Sequence, residues 1–158
     1  MLCVLSVDQL SKWWIINVVM RPPRVIPITD FFNLVLAWNT GISFGLFDSD
    51  SLFNVWALSV LALLIVACLI YWLLRAERRI IALSLGLIIG GALGNVADRL
   101  RIGAVVDFLD FHAMGWHWPA FNVADSSITV GAVILIVDSL FESANHRKTS
   151  AEEQEKNR

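Results

Sequence analysis

Phe53 to Leu74 is an unbroken apolar run without a charged side chain. At about 1.5 Å per residue a helix there reaches about 33 Å, enough to cross a hydrocarbon core of about 30 Å. Arg75, Arg78 and Arg79 close the run. A second run, Ile80 to Ala97, ends at Asp98 and Arg99. A third, Pro119 to Phe141, carries Asp125 near its start and Asp138 near its end. Met1 to Met20 is a fourth and poorer span, because Asp8 and Lys12 fall inside it. This pattern predicts a mainly α membrane protein with four transmembrane helices.

Between Met20 and Phe53 the period changes. Phe32, Leu34, Leu36 and Trp38 alternate with Asn33, Val35, Ala37 and Asn39. A period of two predicts a strand. Ala104 to Phe111 is β-branched and aromatic and predicts a second. A small sheet at the outer membrane surface follows. The short 75–79 loop and the segment after Phe141 are rich in Lys and Arg, whereas 102–119 has neither. Basic loops stay in the cytoplasm, so both chain ends are expected inside and the sheet outside. Trp13, Trp14, Trp56, Trp72, Trp116 and Trp118 fall near predicted span ends, where amphipathic rings settle. Residues 1–142 are therefore read as one membrane-embedded domain and 143–158 as a charged cytoplasmic tail without fixed structure. The first span lacks the basic start and small-residue cleavage site of a secretory signal peptide. Its awkward length predicts that Met1 is not the natural start and that part of a first helix is missing.

Composition agrees with this picture. Of 158 residues 57% are hydrophobic and only 16% charged, too few to solvate a soluble surface of ordinary make-up. A net charge of −2 does not suggest nucleic acid. Cys3 and Cys68 lie in apolar runs and are too few for a disulfide framework or a zinc cluster.

Polar residues at membrane depth are costly and usually face a cavity or a partner. Gly86, Gly90 and Gly94 recur at steps of four and form a slanting stripe on which another helix can pack. Asn95, Asp98 and Arg99 lie beside it, with Asp98 and Arg99 either an interfacial pair or direct participants. Asp8 and Lys12 are four apart and can pair on a helix. Chain connectivity brings Asp107 and Asp125 to the same face of the membrane. Two carboxylates converging at a partly dry site share one proton, so that one acts as base and the other as acid. Such a pair activates water against an amide. Asp110, three residues from Asp107, competes for the same role. Asp107, Asp110, His112 and His117 also raise a metal cluster, although their spacing matches no standard helix motif.

Five stretches, DQLSK (8–12), NTGISFGLF (39–47), GGALGNVADR (90–99), VVDF (105–108) and FNVADSSITVG (121–131), resemble the lipoprotein signal peptidase (signal peptidase II) family in order and spacing. They span most of the chain except the tail. The resemblance implies a bacterial inner-membrane aspartyl endopeptidase with four transmembrane helices and a small extracytoplasmic β-rich cradle. It implies cleavage of the signal peptide from prolipoproteins whose lipobox cysteine already carries diacylglycerol. No metal or organic cofactor is implied; membrane lipids and globomycin-type peptide inhibitors are implied as partners. By the same resemblance Asp107 and Asp125 are the catalytic pair, against Asp110. Asn39, Gly91, Asn95, Arg99 and Asn122 match positions lining the substrate or inhibitor site, and Asp8 and Asp98 match supporting positions. The sequence departs from the family in its short N-terminus and in Ser43, where a small Ala is common.

Two other classes compete. A small transporter or channel could line a polar path with Asp98, Arg99 and Asp125, although no repeated halves are visible. A non-catalytic assembly factor would need only the glycine stripe.

Overall fold

Lipid-facing side chains and buried charges distribute in this molecule opposite to a soluble domain. In the computed structural model, which describes residues 1–41 and 52–156, the apolar side chains of the Phe53–Leu73 span are mostly exposed while Asp8, Lys12, Asp98 and Asn122 are almost completely buried. Helix α1 (Leu2–Trp14) continues as one π-helical segment, Ile15–Val19. Strands β1 (Ile26–Thr29) and β2 (Phe32–Asn39) follow, then α2 (Leu52–Leu73), α3 (Arg79–Ile102), β3 (Val105–Ala113), β4 (Trp116–His117) and α4 (Val123–Lys156). Four of these helical segments are long and apolar enough to cross a membrane, as the hydrophobic runs predict. The backbone of α4 continues beyond the boundary at 142 into the charged segment. Of the NTGISFGLF stretch, everything after Gly41, Ser43 included, lies outside the described residues.

The α3 helix holds the bundle together. It makes three contacts, two of them through small residues. A Cβ on Gly90 would meet the Met1 carbonyl oxygen at 2.6 Å, and one on Gly94 the Asp8 carboxylate at 2.5 Å, so this part of the stripe seats α1. Gly91 faces α4 instead, and a Cβ there would run into the Ala124 carbonyl oxygen and Ile128. On the third side, Leu85 and Ile89 bury against Val66 of α2. With no hydrophobic drive between helices in lipid, such close backbone approach is the main source of their association. Gly94→Ala is expected to displace Asp8 and lower stability by about 1–3 kcal/mol, the usual range for overpacking. Thermal unfolding in detergent measures it, and an unchanged midpoint would contradict the contact.

At the other end of the bundle the sheet has the order β1-β2-β3-β4, all antiparallel. Both predicted strands are present; β1 and β4 extend the sheet on either side. Between Leu34 and Ala37 the register with β3 slips by one residue, a bulge that turns the end of β2. Phe108 packs with Ile15 and Met20, joining the sheet to the end of α1. At the opposite end of the bundle Arg78 pairs with Asp138 and Glu142, which puts the 75–79 loop beside the end of the fourth span, as the shared location predicted for them requires.

Candidate active site

Strand alternation sets the first carboxylate. Successive side chains of a strand point to opposite faces, so Asp107 and Asp110, three apart, diverge. Asn39 pairs with Val105, two residues from Asp107, and therefore shares its face; its Nδ2 donates to Asp107 Oδ2 at 3.0 Å. On the other face Asp110 accepts from Asn33 Nδ2 at 2.9 Å and contacts His117 Nδ1 at 2.9 Å.

A helix start sets the second. Asn122 is the residue before α4. Its Oδ1 accepts from the Asp125 backbone N–H at 2.9 Å, and Asp125 Oδ2 accepts in return from the Asn122 N–H at 3.2 Å. This is a reciprocal capping box, with Asp in the place usually held by Glu or Gln. Asp8 Oδ1 takes the Ala124 N–H at 2.9 Å, satisfying another donor that a helix start leaves free. The positive end of the helix dipole favours a carboxylate at Asp125.

Asn122 then ties the two acids together. Its Nδ2 donates to Asp107 Oδ1 at 2.7 Å while its other amide atom holds the Asp125 backbone. Asn95 Nδ2 donates to Asp125 Oδ1 at 2.7 Å, and Asn95 Oδ1 accepts from Asn122 Nδ2 at 3.2 Å. Burial is the main influence on Asp107 and pushes its pKa up to about 7; the Asn39 hydrogen bond opposes this and the nearby Asp125 charge adds to it. Asp110 behaves oppositely. Burial disfavours its charge, but the hydrogen bonds from Asn33 and His117 outweigh burial and hold its carboxyl below the usual range.

Behind the amides lies a buried charge cluster. Lys12 Nζ contacts Asp8 Oδ2 at 2.8 Å, Asp98 Oδ2 at 2.7 Å and Asn95 Oδ1 at 3.1 Å. The predicted Asp8–Lys12 pair is present. The interfacial pair of Asp98 with Arg99, one of the two alternatives for these residues, is not: neighbours on a helix point about 100° apart, and Asp98 turns to Lys12 and Gln9. Arg99 turns to the other side, where its Nη2 donates to the Gly41 carbonyl oxygen at 3.0 Å. Its Nε is buried with no hydrogen-bond partner among the described residues. Gly91 belongs to the α3–α4 contact described above rather than to the ring of polar groups on the carboxylates. Lys12 carries a sequence signal for this role, a charge one helical turn after Asp8 inside an apolar span, whereas Gln9 carries none.

The site opens on a cleft of about 490 Å³ lined by Trp118, Phe121, Ile128 and Val130, with Asp125 and Thr129 as polar contributors. His112 and His117 stack with ring centroids 4.9 Å apart, and among the described residues no three His, Cys, Asp or Glu side chains are grouped to hold a metal ion.

Four membrane-length helices capped by a small antiparallel sheet, with two carboxylates gathered where sheet and helices meet, define a polytopic membrane protein with an acidic site at one end of its bundle. The chain belongs to the family described as signal peptidase (SPase) II, whose profile matches residues 1–141. It is 50% identical over 140 residues to a lipoprotein signal peptidase of Burkholderia vietnamiensis, covering 88% of this chain and 84% of that protein. A lipoprotein signal peptidase of Methylorubrum extorquens is 46% identical over 144 residues, covering 89% and 82%. Among solved structures, a bacterial membrane enzyme determined by the in meso method at 2.3 Å resolution superposes with a TM-score of 0.80 at 28% identity, covering 91% of this chain and 87% of the other. Membership places the protein among peptidases and decides against the transporter and assembly-factor readings.

Proposed function

We propose that this protein is an aspartic endopeptidase that removes signal peptides from diacylglyceryl-modified prolipoproteins at the outer face of the bacterial inner membrane. The observation that carries the reading is Asn122, which donates to Asp107 and caps the helix turn bearing Asp125, so that one amide positions both acids.

The dyad holds one proton at neutral pH. Asp107, raised to about 7 by burial first of all, is the carboxyl that keeps it, and Asp125 is the base. Asp125 takes a proton from water as the water oxygen adds to the scissile carbonyl carbon, and Asp107 gives its proton to the carbonyl oxygen. As the tetrahedral intermediate collapses, the C–N bond breaks, Asp125 gives its proton to the departing nitrogen, and one hydroxyl of the intermediate returns a proton to Asp107, which restores the dyad. Arg99, whose Nε has no partner among the described residues, supplies an N–H to a substrate carbonyl. The apolar cleft beside Asp125 suits a lipid-bearing residue at the cleavage site. Globomycin-type peptides would compete for the same space. No step requires a metal or an organic cofactor.

A purified-protein assay on one precursor, with and without diacylglycerol on its cysteine, tests this. Cleavage of the modified form alone is expected. Equal cleavage of both would remove the lipid requirement, and cleavage of neither would remove the assigned activity.

The raised pKa of Asp107 gives a second expectation. Raising pH through about 7 removes the shared proton. Above that point kcat/KM should fall by about tenfold per pH unit, the limb expected when one essential proton is lost. The value belongs to the pair of acids as a unit. A profile flat from pH 6 to about pH 9 would contradict the shared-proton mechanism.

A further inference from the structure

The β3–β4 hairpin is the least water-compatible part of the sheet. Between Asp110 and Asp125 the chain contains no Asp, Glu, Lys or Arg. The tip residue Met114 is completely exposed, at 107%, and Trp116 and Trp118 are 61% and 49% exposed. A hairpin tip in water ordinarily carries polar residues, because contiguous exposed apolar surface marks an interaction site.

The backbone of the hairpin makes a tight turn. His112 pairs with His117 and Ala113 with Trp116, leaving Met114 and Gly115 as a two-residue turn. Both have positive φ, 52° and 81°, as the tightest hairpin turns require. The main-chain groups of Met114 and Gly115 have no ladder partner, so the turn suits headgroup depth, where water and lipid polar groups satisfy them, while its side chains reach deeper. The hairpin's polar side chains are drawn back to its base, where His117 contacts Asp110 and stacks on His112.

The direction in which the hairpin lies is set by Trp118. It walls a cleft of about 390 Å³ shared with Phe31, Phe111 and Trp116. It also walls the cleft that runs along α4 to Ile128 and Val130. Val130 is on the exposed face of a membrane-length helix. The aromatic surface of the hairpin is thus continuous with surface that faces lipid.

We propose that the β3–β4 hairpin inserts its tip into the interfacial region of the leaflet beside the sheet, with Met114 among the upper acyl chains and the Trp116 and Trp118 rings at headgroup level. Indole rings combine an apolar body with an N–H donor and settle at that depth. The sheet is thereby held against the bilayer at a second point, separate from the helices. The anchor is independent of which bond the enzyme cuts.

The test is the depth of a nitroxide label in lipid nanodiscs, read from its relaxation by oxygen, which enters lipid, and by a nickel chelate, which stays in water. The label sits at Met114→Cys, and in a second protein at Ala113→Cys, after replacement of the exposed Cys3 and Cys68. Leu64→Cys on exposed α2 supplies the hydrocarbon reference and a free nitroxide in buffer the water reference. The expected result is an oxygen-to-nickel ratio at both hairpin positions shifted from the buffer value toward that of Leu64. Buffer-like ratios at both positions would overturn the proposal. So would spin–spin broadening that disappears on dilution with unlabelled protein, since a second copy would then occupy the tip. Because depth is read without substrate, the outcome is separate from that of the cleavage assay.

Discussion

Asp107→Asn and Asp125→Asn are each expected to lower cleavage of a lipid-modified precursor by about a thousandfold or more, within the range that general acid–base groups supply. An amide cannot accept a proton from water at neutral pH or return one to the departing nitrogen. The double variant should be little worse than either single one, because residues that act as a unit lose their contribution together. Neither substitution is silent in the fold, since both oxygens of Asp125 accept N–H groups, one from Asn95 and one from the Asn122 backbone. Both oxygens of Asp107 already accept amide N–H groups, one from Asn39 and one from Asn122. An Asn at 107 must turn its own NH₂ toward one of these donors, at a cost of about 1–3 kcal/mol for the unsatisfied group. Folding of each variant therefore has to be measured beside its rate. Asp110→Asn is the matched control, since Asp110 lies on the opposite face of the same strand and serves Asn33 and His117. It should keep substantial activity. A gel-shift assay in which Asp107→Asn still cleaves at the normal rate, or in which Asp110→Asn is dead beside a live Asp125→Asn, would sink the assignment.

The spans were legible because a bilayer imposes a blunt rule: about twenty residues without charge. The α2 and α3 helices begin and end within a few residues of their runs. β2 was legible because its alternation is regular over eight residues. β1 was not, since it has four residues and contains Pro27, which lacks a ladder donor. β4, with two residues, is shorter than any periodic signal. In the site, local pattern could say that Asp107 and Asp110 face opposite ways, but not which faces Asp125. That choice came from the family resemblance, and the Asn122 and Asn39 contacts now give it a geometric basis. The partner of Asp98 was illegible for a different reason. A sequence offers Arg99 as the adjacent opposite charge, whereas the actual partner, Lys12, comes from another helix and is brought near by the Gly94 crossing. Pairings made by helix packing have no local trace.

Lys12→Met is expected to be the most damaging substitution outside the dyad. The Lys12 ammonium is 1% exposed, and its three hydrogens match the three acceptors around it, Asp8, Asp98 and Asn95. Methionine fills much of the same volume and removes the charge together with its three N–H donors. It leaves two buried carboxylates facing each other without a counter-ion. Breaking a buried pair in this way costs about 3–5 kcal/mol, mostly from the stranded charge. A thermal midpoint measured in detergent should fall accordingly. Activity should fall as well, by a separate route. Asn95 Oδ1 loses its charged donor and keeps the longer bond from Asn122, so the amide holds its N–H on Asp125 less firmly. Adding Asp8→Asn and Asp98→Asn to Lys12→Met separates the two effects. With all three charges gone the desolvation cost disappears, and most of the stability should return, as replacing a whole buried ion cluster often does. The rate should recover much less, because Asn95 Oδ1 then keeps the Asn122 amide but not its charged donor. A single Lys12→Met variant with an unchanged midpoint would show that the cluster is not buried as described. A triple variant restored in both stability and rate would show that Asn95 holds its orientation without Lys12.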